Sequence, residues 1–392
     1  MKHKLIRITT ISSTMTSILK GQMKFISDYF DVVAVTSKYD DYFEEIEKRE
    51  NVKVVDLKMY RKISVFSDII SLLKMIFIVR NEKPTIIHSQ TPKAGLLAMS
   101  ASWLLRVPIR IHSVVGVPIY AENKGFKRSV LLLCERLTLF FANEVFPNSN
   151  GVRDFLIENN LCNKSKISIV GKGSSNGIDV SHFSRLHFDE STNEKVRTEL
   201  NFSKDDFVFC FVGRICVDKG INELVDAFID LKKQIHEKPI KLLLIGPYFK
   251  NDDAIDDSIF SIINNHADIK YIGLQKEIRP YLFSSNCFVF PTYREGLPNV
   301  LLQAAAMEIP IIATNVVGCN DIIINEINGL IVEAKNSSKL MDAMLRLFND
   351  HELSNKISGN SRQSIIDNYS QNFYWNELKK EYEYQLSKRE IL

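Results

Sequence analysis

What the chain lacks narrows its class first. It has only six cysteines, scattered without CxxC spacing, and some lie in apolar runs such as Phe209-Cys210-Phe211 and Asn286-Cys287-Phe288. That pattern argues against a disulfide framework or a zinc site and for buried free thiols in a reducing, cytoplasmic compartment. No apolar run reaches the roughly 20 residues that a bilayer-spanning helix needs. Ile69 to Val79 is interrupted by Lys74, and Val130 to Phe141 by Glu135 and Arg136. The opening MKHKLIRITTISS is too polar and strand-like for a signal peptide. A repeat period of about 20 to 50 residues is also missing, which excludes solenoids and propellers. The formal net charge of +3 is too small to argue for a nucleic-acid partner.

What is present points to an ordinary globular chain of more than one domain. Its 392 residues exceed what one core usually organises, and 45% apolar with 25% charged residues is typical of folded proteins. The charge is uneven. Residues 1–190 carry 27 Lys and Arg against 19 Asp and Glu, a local balance of +8, and the remainder is at −5. A basic first half is compatible with an anionic membrane surface or an anionic lipid-linked acceptor.

Strands alternate with helices along the chain. Leu5 to Thr9, Val32 to Thr36, Val52 to Leu57, Thr85 to His88 and Ile109 to Ser113 read as strands. Between them, Gln22 to Tyr29, Phe66 to Arg80 and Ala94 to Leu105 have helical spacing, and Ser12 to Gly21 reads as a polar loop. A polar stretch from about Ser184 to Lys204 reads as the linker between two domains, and beyond it the pattern restarts. Its strands are Phe207 to Val212, Lys241 to Ile245, Cys287 to Phe290 and Pro310 to Thr314. Near-continuous apolar strands in such alternation imply a parallel sheet covered by helices. We therefore expect an α/β chain of two Rossmann-like domains, at 1–190 and 200–370. A helix at 373–390 is expected to return to the first. Ligands in such sheets bind beyond the C-terminal strand ends. If the two sheets face each other, His88 and His112 lie opposite the Gly213, Gly246 and Pro291 loops.

Two segments carry chemistry. Phe211-Val212-Gly213-Arg214 is followed by Asp218-Lys219-Gly220 opening a helix, so Arg214 and Lys219 bring two cations to a helix start. That suits a diphosphate, although a surface turn with salt bridges would use the same residues. The spacing is neither G-x-G-x-x-G nor the G-x-x-x-x-G-K-S/T of phosphate loops, so it supports neither dehydrogenase nor ATPase. The second segment runs from Pro291 through Glu295, Gly296, Leu297 and Pro298 into Asn299, Val300 and Gln303. Glu295 can accept from sugar hydroxyls, the backbone N–H groups from Gly296 to Val300 can meet a phosphate, and Gln303 can reach a ribose, although an acid at a helix start can equally do no more than stabilise the helix dipole. His88 and His112 stand at strand ends, where a neutral imidazole can steer an acceptor or simply bond a carbonyl. The candidate acids Asp218, Asp321 and Glu295 do not form a defensible metal site.

In this order, the Gly213-Arg214, Asp218-Lys219-Gly220 and Glu295-Gly296-Leu297-Pro298 segments resemble the retaining nucleotide-sugar glycosyltransferases of the GT-B fold, glycosyltransferase family 4. Thr91-Pro92-Lys93-Ala94-Gly95, Asn148-Ser149 and Gly173-Ser174-Ser175-Asn176-Gly177-Ile178-Asp179 are similar to the bacterial branch that builds capsule, exopolysaccharide and O-antigen. The resemblance implies two Rossmann-like domains across a cleft and a nucleotide-sugar donor, UDP on family grounds. It also implies a polyprenyl-diphosphate-linked or saccharide acceptor, and transfer with retention that needs no protein nucleophile and no essential metal. Arg214 and Lys219 would hold the diphosphate and Glu295 the transferred sugar. Gln303 stands where the family has a second Glu for the ribose. Gly21, His88, Lys93 and His112 would face the acceptor, His112 also serving catalysis. Read from the residues alone, the apolar and basic surface near Ile69 to Arg80 and the segment Tyr120 to Arg128 suit either contact with a membrane or a core helix with a solvated basic start. A sugar-nucleotide epimerase or hydrolase, and a non-catalytic nucleotide-sugar-binding assembly protein, remain the rival readings.

Overall fold

The computed structural model describes residues 2–38, 42–60, 64–116, 125–235, 238–250 and 253–391. The chain divides into two compact units, Met1–Gly177 with Gln371–Leu392, and Ile178–Ser370.

Unit 1 is built on β1 (Lys4–Ile8), β2 (Asp31–Thr36), β3 (Lys53–Asp56), β4 (Ile86–Gln90), β5 (Ile109–Val114) and β6 (Glu144–Pro147). They form one parallel sheet in the order β3-β2-β1-β4-β5-β6. Strand β4 is buried at every residue, because helices cover both sheet faces and leave no polar side for alternation. The helices Val65–Glu82, Pro92–Leu104 and Phe126–Phe141 follow β3, β4 and β5 and pack side by side. On the opposite face, Leu5, Ile86 and Ile109 share a core with Met23, Tyr374 and Tyr382, so the C-terminal helix Gln371–Ser387 closes that side.

Unit 2 holds β7 (Phe207–Val212), β8 (Ile240–Ile245), β9 (Ile269–Tyr271), β10 (Cys287–Phe290), β11 (Ile311–Thr314) and β12 (Leu330–Val332). All are parallel, in the order β12-β11-β10-β7-β8-β9. The strand order reverses between β1 and β4 in unit 1 and between β7 and β10 in unit 2. Loops splay apart at such reversals, and a crevice opens beyond the strand ends.

Three expectations are corrected. Ser12–Ile18 is a helix, not a polar loop, although its Ser and Thr content has little intrinsic helical preference. The stretch expected as a linker holds the helix Glu190–Leu200, whose start Asp189 caps by accepting from Thr192 N at 3.0 Å. There Arg197 is buried and donates to the carbonyls of Ser203 (2.8 Å), Asp206 (2.9 Å) and Ser284 (3.0 Å), which makes a charged segment part of the unit 2 fold. All six thiols are free, but Cys134 and Cys162 are half-buried rather than buried. Of the segment expected to approach a membrane, Tyr120 to Lys124 lie outside the described residues.

Candidate functional site

At the reversal in unit 2, glycines let four loops touch backbone to backbone. A Cβ on Gly246 would lie 1.8 Å from the Gly213 carbonyl oxygen, so the turns after β8 and β7 are in direct contact. Gly220, at φ 69°, would place a Cβ 2.1 Å from the Pro291 carbonyl oxygen. This contact sets the start of the helix Ile221–Gln234 against the end of β10. Gly318, at φ 82°, approaches the Gly296 carbonyl in the same way, at 2.4 Å from the built Cβ. Only glycine fits three such positions.

The result is that Lys219, from the loop after β7, forms an ion pair with Glu295, from the loop after β10. Both side chains are mostly buried, and Lys219 also lies 5.7 Å from the centroid of the Phe290 ring. An ammonium has three donors, so the pairing with Glu295 leaves Lys219 able to hold an anionic oxygen as well. Arg214 follows Gly213 on the same edge of the sheet. The site's frame comes from contacts between the two segments that the sequence did not pair. Arg294 Nε donates to Asp218 Oδ2 at 2.9 Å, and Tyr293 N donates to the Asp218 carbonyl at 2.8 Å. The Tyr293 hydroxyl donates to Glu223 at 2.6 Å, and burial together with that carboxylate pushes the phenol pKa up. Arg294 and Asp218 flank Glu295 and Lys219 directly in the chain, which is the signal that could have paired them.

The remaining donor-side candidates line the start of the helix Asn299–Ala306. Its N-cap is Pro298, which supplies no side-chain cap; Leu301 N turns back to the Pro298 carbonyl at 3.1 Å, and the earlier Asn299 and Val300 N–H groups lie at the uncapped start. Asn299 is exposed, Gly296, Val300 and Gln303 are half-buried, and the Leu297 side chain is in the core, so Leu297 offers only its backbone. Among the described residues, no group of three or more His, Cys, Asp and Glu side chains has the spacing to hold a metal ion.

In unit 1 the reversal brings the loops after β1 and β4 together, with Thr10 and Thr91 hydroxyls 2.7 Å apart. Thr91 holds φ 79°, a strained setting for a β-branched residue, at the foot of the helix that carries Lys93. Lys93 pairs with Asp68 at 2.7 Å. Gly21, at φ 79°, lies against the Trp375 ring, and its N–H donates to Glu50 at 2.9 Å. The next residue, Gln22, joins Arg7 (2.9 Å) and Asn176 (3.0 Å), and Asn176 also accepts from Trp375 Nε1 at 2.7 Å.

The two histidines correct an expectation of open contact. His88 is 1% exposed, with Nδ1 2.6 Å from the Tyr382 hydroxyl and Nε2 2.6 Å from Ser113 Oγ, so both nitrogens are taken inside the core. His112 is buried too, its Nδ1 2.8 Å from Ser89 Oγ, and Gly95 lies directly over its ring. Tyr382 lies far along the chain from His88, which is why sequence spacing could not reveal the pair.

Burial also sets opposite pH slopes in unit 1. It lowers His112 to about 4, so the unfolded chain binds that proton more tightly and stability falls as pH drops from about 6.5 towards 4. Burial raises the Glu135 carboxyl to about 7, so the folded chain keeps that proton and stability falls as pH rises from about 4.5 to 7. Glu135→Gln is therefore expected to leave stability unchanged at about pH 4 and raise it by about 3 kcal/mol at about pH 8. Urea unfolding at the two pH values checks this. An equal effect at both would remove the titration as its cause.

The comparisons agree with this architecture. Residues 206–350 match the family described as Glycosyl transferases group 1, and residues 27–173 match the Glycosyl transferase 4-like domain. The capsular polysaccharide biosynthesis glycosyltransferase CapM of Staphylococcus aureus is 35% identical over 382 residues, 97% of each chain. An Escherichia coli UDP-Gal:alpha-D-GlcNAc-diphosphoundecaprenol alpha-1,3-galactosyltransferase is 26% identical over 79% of this chain and 78% of its own. The structure of Anabaena HepE in complex with UDP and glucose superposes with a TM-score of 0.79 at 16% identity, over 97% of this chain and 99% of that one, a likeness of fold.

Proposed function

Because the chain belongs to the group 1 glycosyl transferases, with a GT-B-type pair of α/β units, we propose that it moves a sugar from a UDP-sugar to a polyprenyl-diphosphate-linked saccharide in surface polysaccharide synthesis. It acts with retention, at the cytoplasmic face of a membrane. The observation that carries this reading is the meeting of Lys219 and Glu295 at the strand reversal of unit 2. The HepE structure holds UDP and glucose, and the name of the Escherichia coli relative specifies a UDP-sugar and a diphosphoundecaprenol acceptor, which supports both substrate classes.

In this reading Arg214 and Lys219 bind the donor diphosphate, with Gly213 allowing its approach. Glu295 accepts from hydroxyls of the transferred sugar, and Gly296, Leu297, Asn299 and Val300 offer backbone N–H groups. Gln303 hydrogen-bonds the ribose as a neutral amide. The bond from the anomeric carbon to the diphosphate breaks, and the acceptor oxygen bonds that carbon on the same face. The departing diphosphate takes the acceptor's proton. Fixed cations stabilise the charge that develops on the leaving group. Lys93 and the Gly21 turn serve the acceptor, while His88 and His112 act from within unit 1 as neutral positioning residues.

The test is turnover of a panel of UDP-, GDP- and dTDP-sugars with and without a lipid extract from the native cell, followed by mass spectrometry. A glycan-mass increase on lipid with UDP release is expected. UDP release without lipid would instead favour a hydrolase, and binding without turnover a non-catalytic protein. Gln303→Ala is expected to raise the donor KM about tenfold, the worth of one hydrogen bond, with kcat nearly unchanged. A fall in kcat alone would remove Gln303 from ribose binding.

A further inference from the structure

Lys219 stands among acids. Asp218 precedes it on the loop after β7, and Glu223 lies in the first turn of the helix Ile221–Gln234. Asp253 accepts from Asp218 N at 2.7 Å. Each of these three carboxylates is turned to a donor. Glu223 accepts from the Tyr293 hydroxyl at 2.6 Å, Asp253 takes that backbone N–H, and Asp218 Oδ2 accepts from both Nε (2.9 Å) and Nη2 of Arg294. The ion pairs run crosswise between two loops. Asp218-Lys219 and Arg294-Glu295 are dipeptides of opposite charge order, and each acid meets the base of the other loop: Asp218 with Arg294, and Glu295 with Lys219. Backbone and hydroxyl contacts fix this register, since Tyr293 N (2.8 Å) and Thr292 Oγ1 (3.3 Å) both donate to the Asp218 carbonyl. Asp218 and Lys219, although adjacent in the chain, are thus paired apart.

These groups differ in what they offer a bound diphosphate. Lys219 can donate to it and Glu295 can accept from the sugar, but a free Asp218 carboxylate would only accept. One residue from Lys219, it would compete for that ammonium and repel the phosphates. The Asp218 and Arg294 side chains are 23% and 33% exposed, so solvent only partly screens the charge. We propose that Arg294 is a positioning residue for donor binding, which acts by holding the Asp218 carboxylate off Lys219 and off the donor diphosphate. This role rests on the reading of unit 2 as the diphosphate site. It differs from that of a simple loop brace in one consequence. Removing Arg294 alone exposes a negative charge where an anion must bind, whereas removing the Asp218 charge as well exposes none. A brace is lost equally in both cases.

The test is calorimetric titration of UDP into the full wild-type chain and into Arg294→Met, Asp218→Asn and the double variant, with the thermal midpoint recorded for each. Arg294→Met is expected to bind UDP about tenfold or more weakly, and about 0.5 M salt should narrow its gap to the wild type. The double variant should recover most of that loss. Asp218→Asn alone removes no cation and should bind UDP at least as tightly as the wild type, an arm that decides the matter even where Arg294→Met does not fold. Undiminished UDP binding in Arg294→Met would overturn the proposal. A double variant as weak as Arg294→Met would make the pair a brace and overturn it too, as would a loss of about tenfold in Asp218→Asn alone. Failure of the wild-type chain itself to bind UDP would instead overturn the donor reading, a result distinct from all of these.

Discussion

Lys219→Ala is expected to lower kcat by about 10²–10³-fold while the fold survives, the scale of removing one fixed donor from a developing anion. The ammonium is held at the end of β7 by its pairing with Glu295 and by its place over the Phe290 ring. Its removal takes away charge where the leaving diphosphate gains it, and it leaves Glu295 partly buried without its partner. Glu295→Gln should lose activity on a similar scale by a different route, since the amide keeps the shape but not the full acceptor capacity for sugar hydroxyls. Steady-state kinetics on each variant separates the cases. Lys219→Ala should depress kcat at every acceptor concentration, and a change confined to the acceptor KM would remove Lys219 from the chemistry.

Gly220→Ala and Gly246→Ala are expected to be the most damaging small substitutions in unit 2. A methyl at 220 would sit 2.1 Å from the Pro291 carbonyl oxygen at a φ of 69°, and one at 246 would sit 1.8 Å from the Gly213 carbonyl oxygen. Those atoms are backbone, so a loop must move. Each change should cost about 4 kcal/mol or more and lower the thermal midpoint by about 10 °C. Gly273→Ala is the control. It shares the left-handed backbone, at φ 66°, but has nothing within 4 Å of the built Cβ, so only the strain of about 1 kcal/mol should appear. Calorimetry of the three variants checks the ranking. Equal losses in all three would show that backbone strain, not the loop contact, dominates.

How much of this could be read from the sequence depends on where the signal lay. The central strands announced themselves, because a stretch such as Phe207–Val212 is apolar throughout only if both sheet faces are covered, whereas the three-residue edge strand Leu330–Val332 was too short to stand out. The glycine turns and the cations after β7 were legible for the same local reason: each residue's chemistry lies within a few positions of its strand end. The helix Glu190–Leu200 was not legible, because it is polar and is tied down by Arg197 reaching backbone carbonyls from distant segments. His351–Tyr369 was missed too. It contains Gly359 and several Asn and Ser, and is held by packing on Asn299–Ala306 rather than by propensity. The histidines failed as open-site candidates because a strand end reveals where a ring starts, not which partner covers it. For His88 that partner is Tyr382, on the C-terminal helix.

The donor assignment places the diphosphate on unit 2, held by Arg214 and Lys219. The most direct measurement is calorimetric titration of UDP into the wild-type chain and into Arg214→Ala, Lys219→Ala and Lys93→Ala. UDP should bind the wild-type and Lys93→Ala proteins alike, and about tenfold or more weakly to the other two, as expected for a charged hydrogen bond. Undiminished binding in both unit 2 variants, or its loss in Lys93→Ala alone, would contradict that assignment.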